Sequence, residues 1–160
     1  MKRVFDTNDL ERLAGIAVDI GMALQKEIGP GLYESVYESV LEHRLLRTGI
    51  AVERQKPIAI FVDGLTLPDA FRADLFLDGV LLIELKSSAQ NSPLYIRQTL
   101  TYIRLINQPF GLIFNFGCET FKDGLYRVMN AMHANLFTSF SSVPLYAKDG
   151  RTALTRAALK

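Results

Sequence analysis

The chain has one cysteine, no tryptophan, two histidines and six prolines among its 160 residues. Cys118 has no second thiol to pair with, so no intramolecular disulfide is available and nothing points to an oxidising compartment. Nor does Cys118 have a recognisable partner for nucleophilic catalysis. It is expected to be a small, semi-buried residue. His43 and His133 lack a metal-ligand neighbour at a recognisable spacing, which removes the usual zinc patterns. No apolar run approaches the roughly 18 residues a membrane span needs, and Met1-Lys2-Arg3 does not open a signal-peptide pattern. A cytoplasmic protein without a membrane partner is the expectation. An excess of one charge is missing too. The net charge is +1, so any footprint for a polyanion must be local, with Arg44, Arg47, Arg54, Lys56, Arg97 and Arg104 as candidates. Repeats, low-complexity tracts and linkers are also absent.

What is present is a chain with 49% hydrophobic and 22% charged residues. At this length a single domain buries roughly 70% of its unfolded surface, enough for a core without staples. Leu10, Leu13, Ile16, Ala17, Ile20 and Leu24 recur at helical spacing, predicting a first helix capped by Asn8 or Asp9 and running to about Ile28. Gly29-Pro30-Gly31 breaks it. A second helix is expected from about Leu32 to Arg47, with Val36, Val40, Leu41 and Leu45 as its apolar stripe and Gly49 as its stop. From Ile50 the period shortens. Strands are expected at Ile50–Val52 and Pro57–Val62, with a turn at Asp63-Gly64, and then at Phe71–Leu77 and Val80–Lys86. Ser92-Pro93 opens a third helix to about Ile106. Phe110–Phe116 reads as a strand buried on both faces, and Leu125–Met129 as one more. Strands on either side of a helix predict a mixed sheet with helices packed on it. Residues 1–131 are expected to form the domain and 132–160 a C-terminal extension.

The hairpin around Asp78-Gly79 carries the chemistry. A two-residue turn would pair Leu77 with Val80 and put Asp74 and Glu84 on opposite faces. A three-residue loop would pair Phe76 with Val80 and leave Asp74 one diagonal step from Glu84 on the same face. The apolar pattern favours the second, because Ala73, Leu75, Leu77, Leu81, Ile83 and Leu85 then share the core face. A diagonal spacing of about 7–8 Å lets two carboxylates bracket one hard cation such as Mg²⁺. Lys86, two residues beyond Glu84, shares that face and can reach a phosphate or a metal-bound water. A plain cross-strand salt bridge would use the same three residues.

Gly31-Leu32-Tyr33-Glu34-Ser35-Val36-Tyr37 contains the pattern G-x-x-E-x-x-Y. Phe71-Arg72-Ala73-Asp74, Ile83-Glu84-Leu85-Lys86, Gln98-Thr99-Leu100-Thr101-Tyr102 and Asn115-Phe116-Gly117 follow in order. From Ile28 to Asn130, about two-thirds of the chain, this set resembles the GxxExxY protein family of the PD-(D/E)xK nuclease superfamily, itself similar to RecB-type nuclease domains. The resemblance implies a restriction-endonuclease-like α/β fold, a mixed β-sheet flanked by α-helices. It also implies metal-dependent phosphodiester hydrolysis of nucleic acid, DNA foremost, with Mg²⁺ or Mn²⁺ as cofactor. Asp74, Glu84 and Lys86 would be the core motif, Glu34 a helical acid approaching the metal, and Gln98 and Tyr102 the substrate-binding pair, with Tyr37 beside them. Glu34 and Tyr37 are three residues apart, and Gln98 and Tyr102 four, so each pair shares a helix face. Many relatives carry a histidine shortly before the Gly-Pro-Gly break, where this chain has Gln25. Nucleases that cut both strands often pair with a second copy, so a homodimer is an expectation as well. The alternative is a weakly active or inactive module on the nuclease fold that binds nucleic acid or a protein partner.

Overall fold

The computed structural model describes residues 6–133; most of the extension expected at 132–160 lies outside them. Helix α1 spans Thr7–Ile28 and α2 Glu34–Leu46; strands β1 Val52–Val62, β2 Leu65–Leu77 and β3 Leu81–Lys86 follow, then α3 Pro93–Leu105, β4 Phe110–Asn115, the single turn α4 Phe121–Gly124, and β5 Leu125–Met129. The strands lie in one sheet in chain order, β1-β2-β3-β4-β5. All neighbours are antiparallel except β3 and β4. A parallel pair needs a crossover, and α3 supplies it. The mixed, helix-flanked sheet expected from the sequence is the architecture observed.

Alternation along the strands divides the core in two. On one face Leu75, Leu77, Leu81, Ile83, Leu85, Leu112 and Phe114 meet α1 and α2 through Leu13, Ala17, Leu24, Leu41 and Leu45. On the other, Phe76, Leu82, Ile113 and Val128 meet Ile103 of α3. Ala73 joins this second cluster rather than the first, a departure from the expected core face. Every residue of β4 is buried, as its continuous apolar run required. Arg127 of β5 ties α1 to the sheet edge through two bonds to Glu11, at 2.6 and 2.8 Å.

Several boundaries differ from expectation. Asp6, not Asn8 or Asp9, caps α1, accepting from the Asn8 and Asp9 amides. Helix α2 starts at Glu34 because Gly31 (φ 110°) and the extended Tyr33 still belong to the break. The two short strands expected before Asp63 are one strand, in which Pro57 is tolerated because β1 is an edge. Strand β2 begins six residues earlier than expected. Leu65–Leu67, which follow the expected Asp63-Gly64 turn, pair with Ile60–Val62 to extend a long two-stranded ribbon.

The Asp78-Gly79 turn also corrects the expected register. Leu77 pairs with Leu81 and Phe76 with Leu82, neither of the two alternatives. Asp78 and Gly79 both have positive φ, 47° and 66°, and the Val80 N–H donates to the Leu77 carbonyl at 2.9 Å. Asp78 is also clamped to the chain before β1, where its carboxylate accepts the Ala51 N–H at 2.8 Å. The observed register differs from the expected three-residue one by a whole side-chain period, so the facing of each residue survives the correction. Continued one step past Leu75 and Ile83, it sets Asp74 against Glu84.

Candidate active site

Strand β3 has a neighbour on each side and a packed cluster on each face, so a carboxylate in its middle is stripped of water. Glu84 is 3% exposed. Its Oε1 accepts from Lys86 Nζ at 3.2 Å, while Oε2 is buried with no hydrogen-bond partner. Burial is the main cause that pushes the Glu84 carboxyl up to about 8; the negative charge of Asp74 adds to it and Lys86 opposes it. A buried, half-satisfied carboxylate is costly to keep and marks a site built for something other than stability.

Asp74 lies in β2, one residue past its last pair with β3, Leu75 with Ile83. Its Oδ2 accepts the Leu85 N–H at 2.7 Å and its Oδ1 accepts from Gln55 Nε2 at 3.0 Å. Burial raises its carboxyl as well, against the lowering effect of those two bonds and of Lys86. Lys86 closes the set from the end of β3. Desolvation pulls its ammonium down, but the Glu84 charge and hydrogen bond outweigh this, and the net direction is up. Lys86 therefore stays cationic, with Nζ 5.3 Å from the centroid of the Tyr95 ring.

Helix α3 supplies the wall above these groups. Gln98 Nε2 donates to the Tyr102 hydroxyl at 2.7 Å, and the Tyr102 ring stacks on Phe71 with centroids 3.7 Å apart. Burial raises the Tyr102 hydroxyl, and the charges of Glu84, Lys86 and Asp74 all act on it. Gln98 and Tyr102 thus stand at the site as a bonded pair. From the opposite helix layer, Glu34 at the start of α2 accepts the Ser87 N–H at 3.2 Å, and its charge reaches both Glu84 and Lys86.

One expected site residue, Tyr37, bonds to none of the site's carboxylates. Tyr37 is 0% exposed and stacks on Phe116. Its hydroxyl donates to the Gly29 carbonyl at 2.6 Å and accepts the Leu32 N–H at 3.2 Å. It fastens the Gly-Pro-Gly break to the core and cannot touch a substrate. Gln25, standing where relatives carry histidine, is buried and donates to the Phe116 and Cys118 carbonyls. Three residues not anticipated join the site: Glu38, Gln55 and Tyr95. Glu38 lies one helical turn after Glu34, and Tyr95 three residues before Gln98, so helical spacing could have found both. Gln55 needed the strand register.

Residues 11–128, well over half of the chain, match the family model described as the PD-(D/E)XK nuclease superfamily. The chain belongs to the PD-(D/E)XK nuclease superfamily. No match was found among curated proteins or among solved structures. The mixed sheet and its helices are the restriction-endonuclease-like fold of this superfamily, whose chemistry is nuclease-type phosphodiester hydrolysis, with nucleic acid as the substrate class and divalent metals in general use. Asp74, Glu84 and Lys86, the residues expected from the sequence to carry the D, E and K, are brought together on the adjacent strands β2 and β3. Among the described residues, no group of three or more Asp, Glu, His or Cys side chains is drawn together tightly enough to hold an ion. Glu34 is spent on the Ser87 amide instead of converging with the other two acids. The donor set nonetheless fits a hard cation. It has two oxygen-bearing carboxylates whose mutual charge raises Glu84, and one of the four oxygens is buried without a partner. No described helix is long and apolar enough to cross a membrane.

Proposed function

We propose that the protein is a deoxyribonuclease dependent on Mg²⁺ or Mn²⁺, with exonucleolytic action in DNA repair or defence as its setting. The observation that carries this reading is Glu84. Its Oε2 is buried with no donor, while Oε1 accepts from the Lys86 ammonium at 3.2 Å; an oxygen left open in this way suits a cation far better than a salt bridge. Asp74 and Glu84 would hold the ion, and Glu34 would join them on release from the Ser87 amide. When bound, a divalent cation supplies Lewis acidity toward the phosphate and toward water. The chain's own groups do the rest. Lys86, kept cationic by the acids around it, stabilises charge developing on the phosphate oxygens. Gln98 and Tyr102 present a preorganised polar edge that orients the sugar-phosphate backbone, and burial by α3 excludes bulk water from Glu84. The test uses linear and circular, single- and double-stranded DNA with Mn²⁺. Cleavage is expected in the parent and lost in Asp74→Ala and Glu84→Ala; cleavage unchanged in both variants would remove the proposal.

A second reading, a nuclease-fold module that binds nucleic acid or a protein partner without cutting, is favoured by one observation. Arg44, Arg54 and Lys56, expected to form part of a basic footprint, are committed to Glu27, to Glu38 and Glu42, and to Glu53. Binding that is indifferent to Mn²⁺ and to Glu84→Gln, with no cleavage of any substrate, would select it.

A further inference from the structure

Gln55 sits in the middle of an edge strand with φ 51°, a left-handed conformation that a non-glycine residue rarely adopts and that costs energy wherever it occurs. The residues beside it are in ordinary register, Arg54 against Leu75 and Lys56 against Ala73, so the departure is confined to one residue. Backbone strain of this kind persists only where surrounding contacts impose it. Here they are visible. Gln55 Nε2 donates to Glu38 Oε1 and to Asp74 Oδ1, each at 3.0 Å. Both partners are carboxylates, which accept only, so the amide nitrogen must face them and its orientation is settled by chemistry. Both of its N–H bonds are used. Glu38 is buried and is itself held by Arg54 Nε at 2.7 Å. The chain Arg54–Glu38–Gln55–Asp74 therefore links a buried acid of α2 to the carboxylate on β2 beside β3.

We propose that Gln55 is a positioning residue for Asp74: the strained backbone aims one amide at two acids, keeps them from repelling each other, and fixes Asp74 so that its other oxygen meets the Leu85 N–H. Without the amide, Asp74 and Glu38 share no donor, and Asp74 is free to rotate away from β3. The metal-related part of this inference rests on the proposed nuclease reading; the positioning part does not. Partners of this outer kind typically change metal affinity by about 10–100-fold when removed.

Two variants test it. Gln55→Met keeps the length and removes the amide, whereas Gln55→Gly also relieves the backbone, since glycine adopts positive φ freely. The metal-free readout is hydrogen exchange at the Leu85 amide, expected to quicken at least tenfold in both variants while amides in β4 keep their parental rates. The second readout is Mn²⁺ calorimetry, with affinity expected to fall about 10–100-fold. Parental exchange at Leu85 together with a dissociation constant within twofold of the parent overturns the proposal. So does failure of both variants to fold, which would make the amide a fastener of the fold. If the parent binds no Mn²⁺ yet Leu85 exchange still quickens in the variants, the nuclease reading fails and the positioning role stands.

Discussion

At the scale of single residues, the site is governed by the conflict between a buried carboxylate and its neighbours. Glu84 has an ordinary value of 4.5 and is pushed to about 8 in the fold. Between those two values the folded protein binds more protons than the unfolded chain, so metal-free stability must fall as pH rises through that window. The contribution is fully present below the ordinary value and gone once pH passes about 8. Asp74 shifts in the same direction. Glu84→Gln, a neutral stand-in for the protonated acid, is therefore expected to raise the metal-free melting temperature at pH 8.5 by several degrees and to flatten its decline from pH 5, while abolishing Mn²⁺ binding. Melting curves in chelator across that range check this, and a variant profile parallel to the parent's would refute it. Lys86 separates differently. Its ammonium competes with a cation for Glu84, yet stabilises negative charge on a substrate. Lys86→Met should leave Mn²⁺ affinity equal or higher and lower the cleavage rate by about 10²-fold or more. A loss of metal affinity in step with activity would instead make Lys86 a structural partner of Glu84.

At the scale of elements, the Gly-Pro-Gly break and the hairpin turn aim the acids. Tyr37 closes the break with two hydrogen bonds to backbone groups, Gly29 and Leu32. Tyr37→Phe takes the hydroxyl partner from the part-buried Gly29 carbonyl and Leu32 amide, at a cost of about 0.5–1.5 kcal/mol. Urea unfolding should register that loss, with the cleavage rate per folded molecule within about twofold of the parent. A raised KM at unchanged stability would return Tyr37 to the substrate. The turn at Asp78-Gly79 shows how far local sequence reaches. Aspartate and glycine accept positive φ, so a turn there was legible. Its exact closure was set by the bonds between Asp78 and Ala51, a contact across 27 residues that no local rule contains. Alternation rescued the functional inference, because a shift by a full side-chain period moves no residue to the other face.

At the scale of the whole molecule, charge is the informative quantity. The chain carries +1 overall, and several of its cations are bound to carboxylates within the fold. Binding to polyanions should therefore release few counterions. For Glu84→Gln and a short duplex or single strand, the slope of log affinity against log salt is expected to be shallow, about −2 to −4, equivalent to a handful of phosphate contacts. Titrations between low and moderate salt measure it. A slope steeper than about −6 would overturn that expectation.

Composition and the apolar periods were enough by themselves to determine the α/β class, the helices and the buried central strands, and alternation put Asp74, Glu84 and Lys86 on one face as candidates, because each depends on side chains near one another in sequence. Only the tertiary structure decided what those residues do to each other. It buried Glu84 between two clusters, took Glu34 to the Ser87 amide, enclosed Tyr37, and brought Gln55 of a strained edge strand to Asp74. Those outcomes depend on which distant backbone groups and charges arrive beside a side chain, and on how much water they leave it.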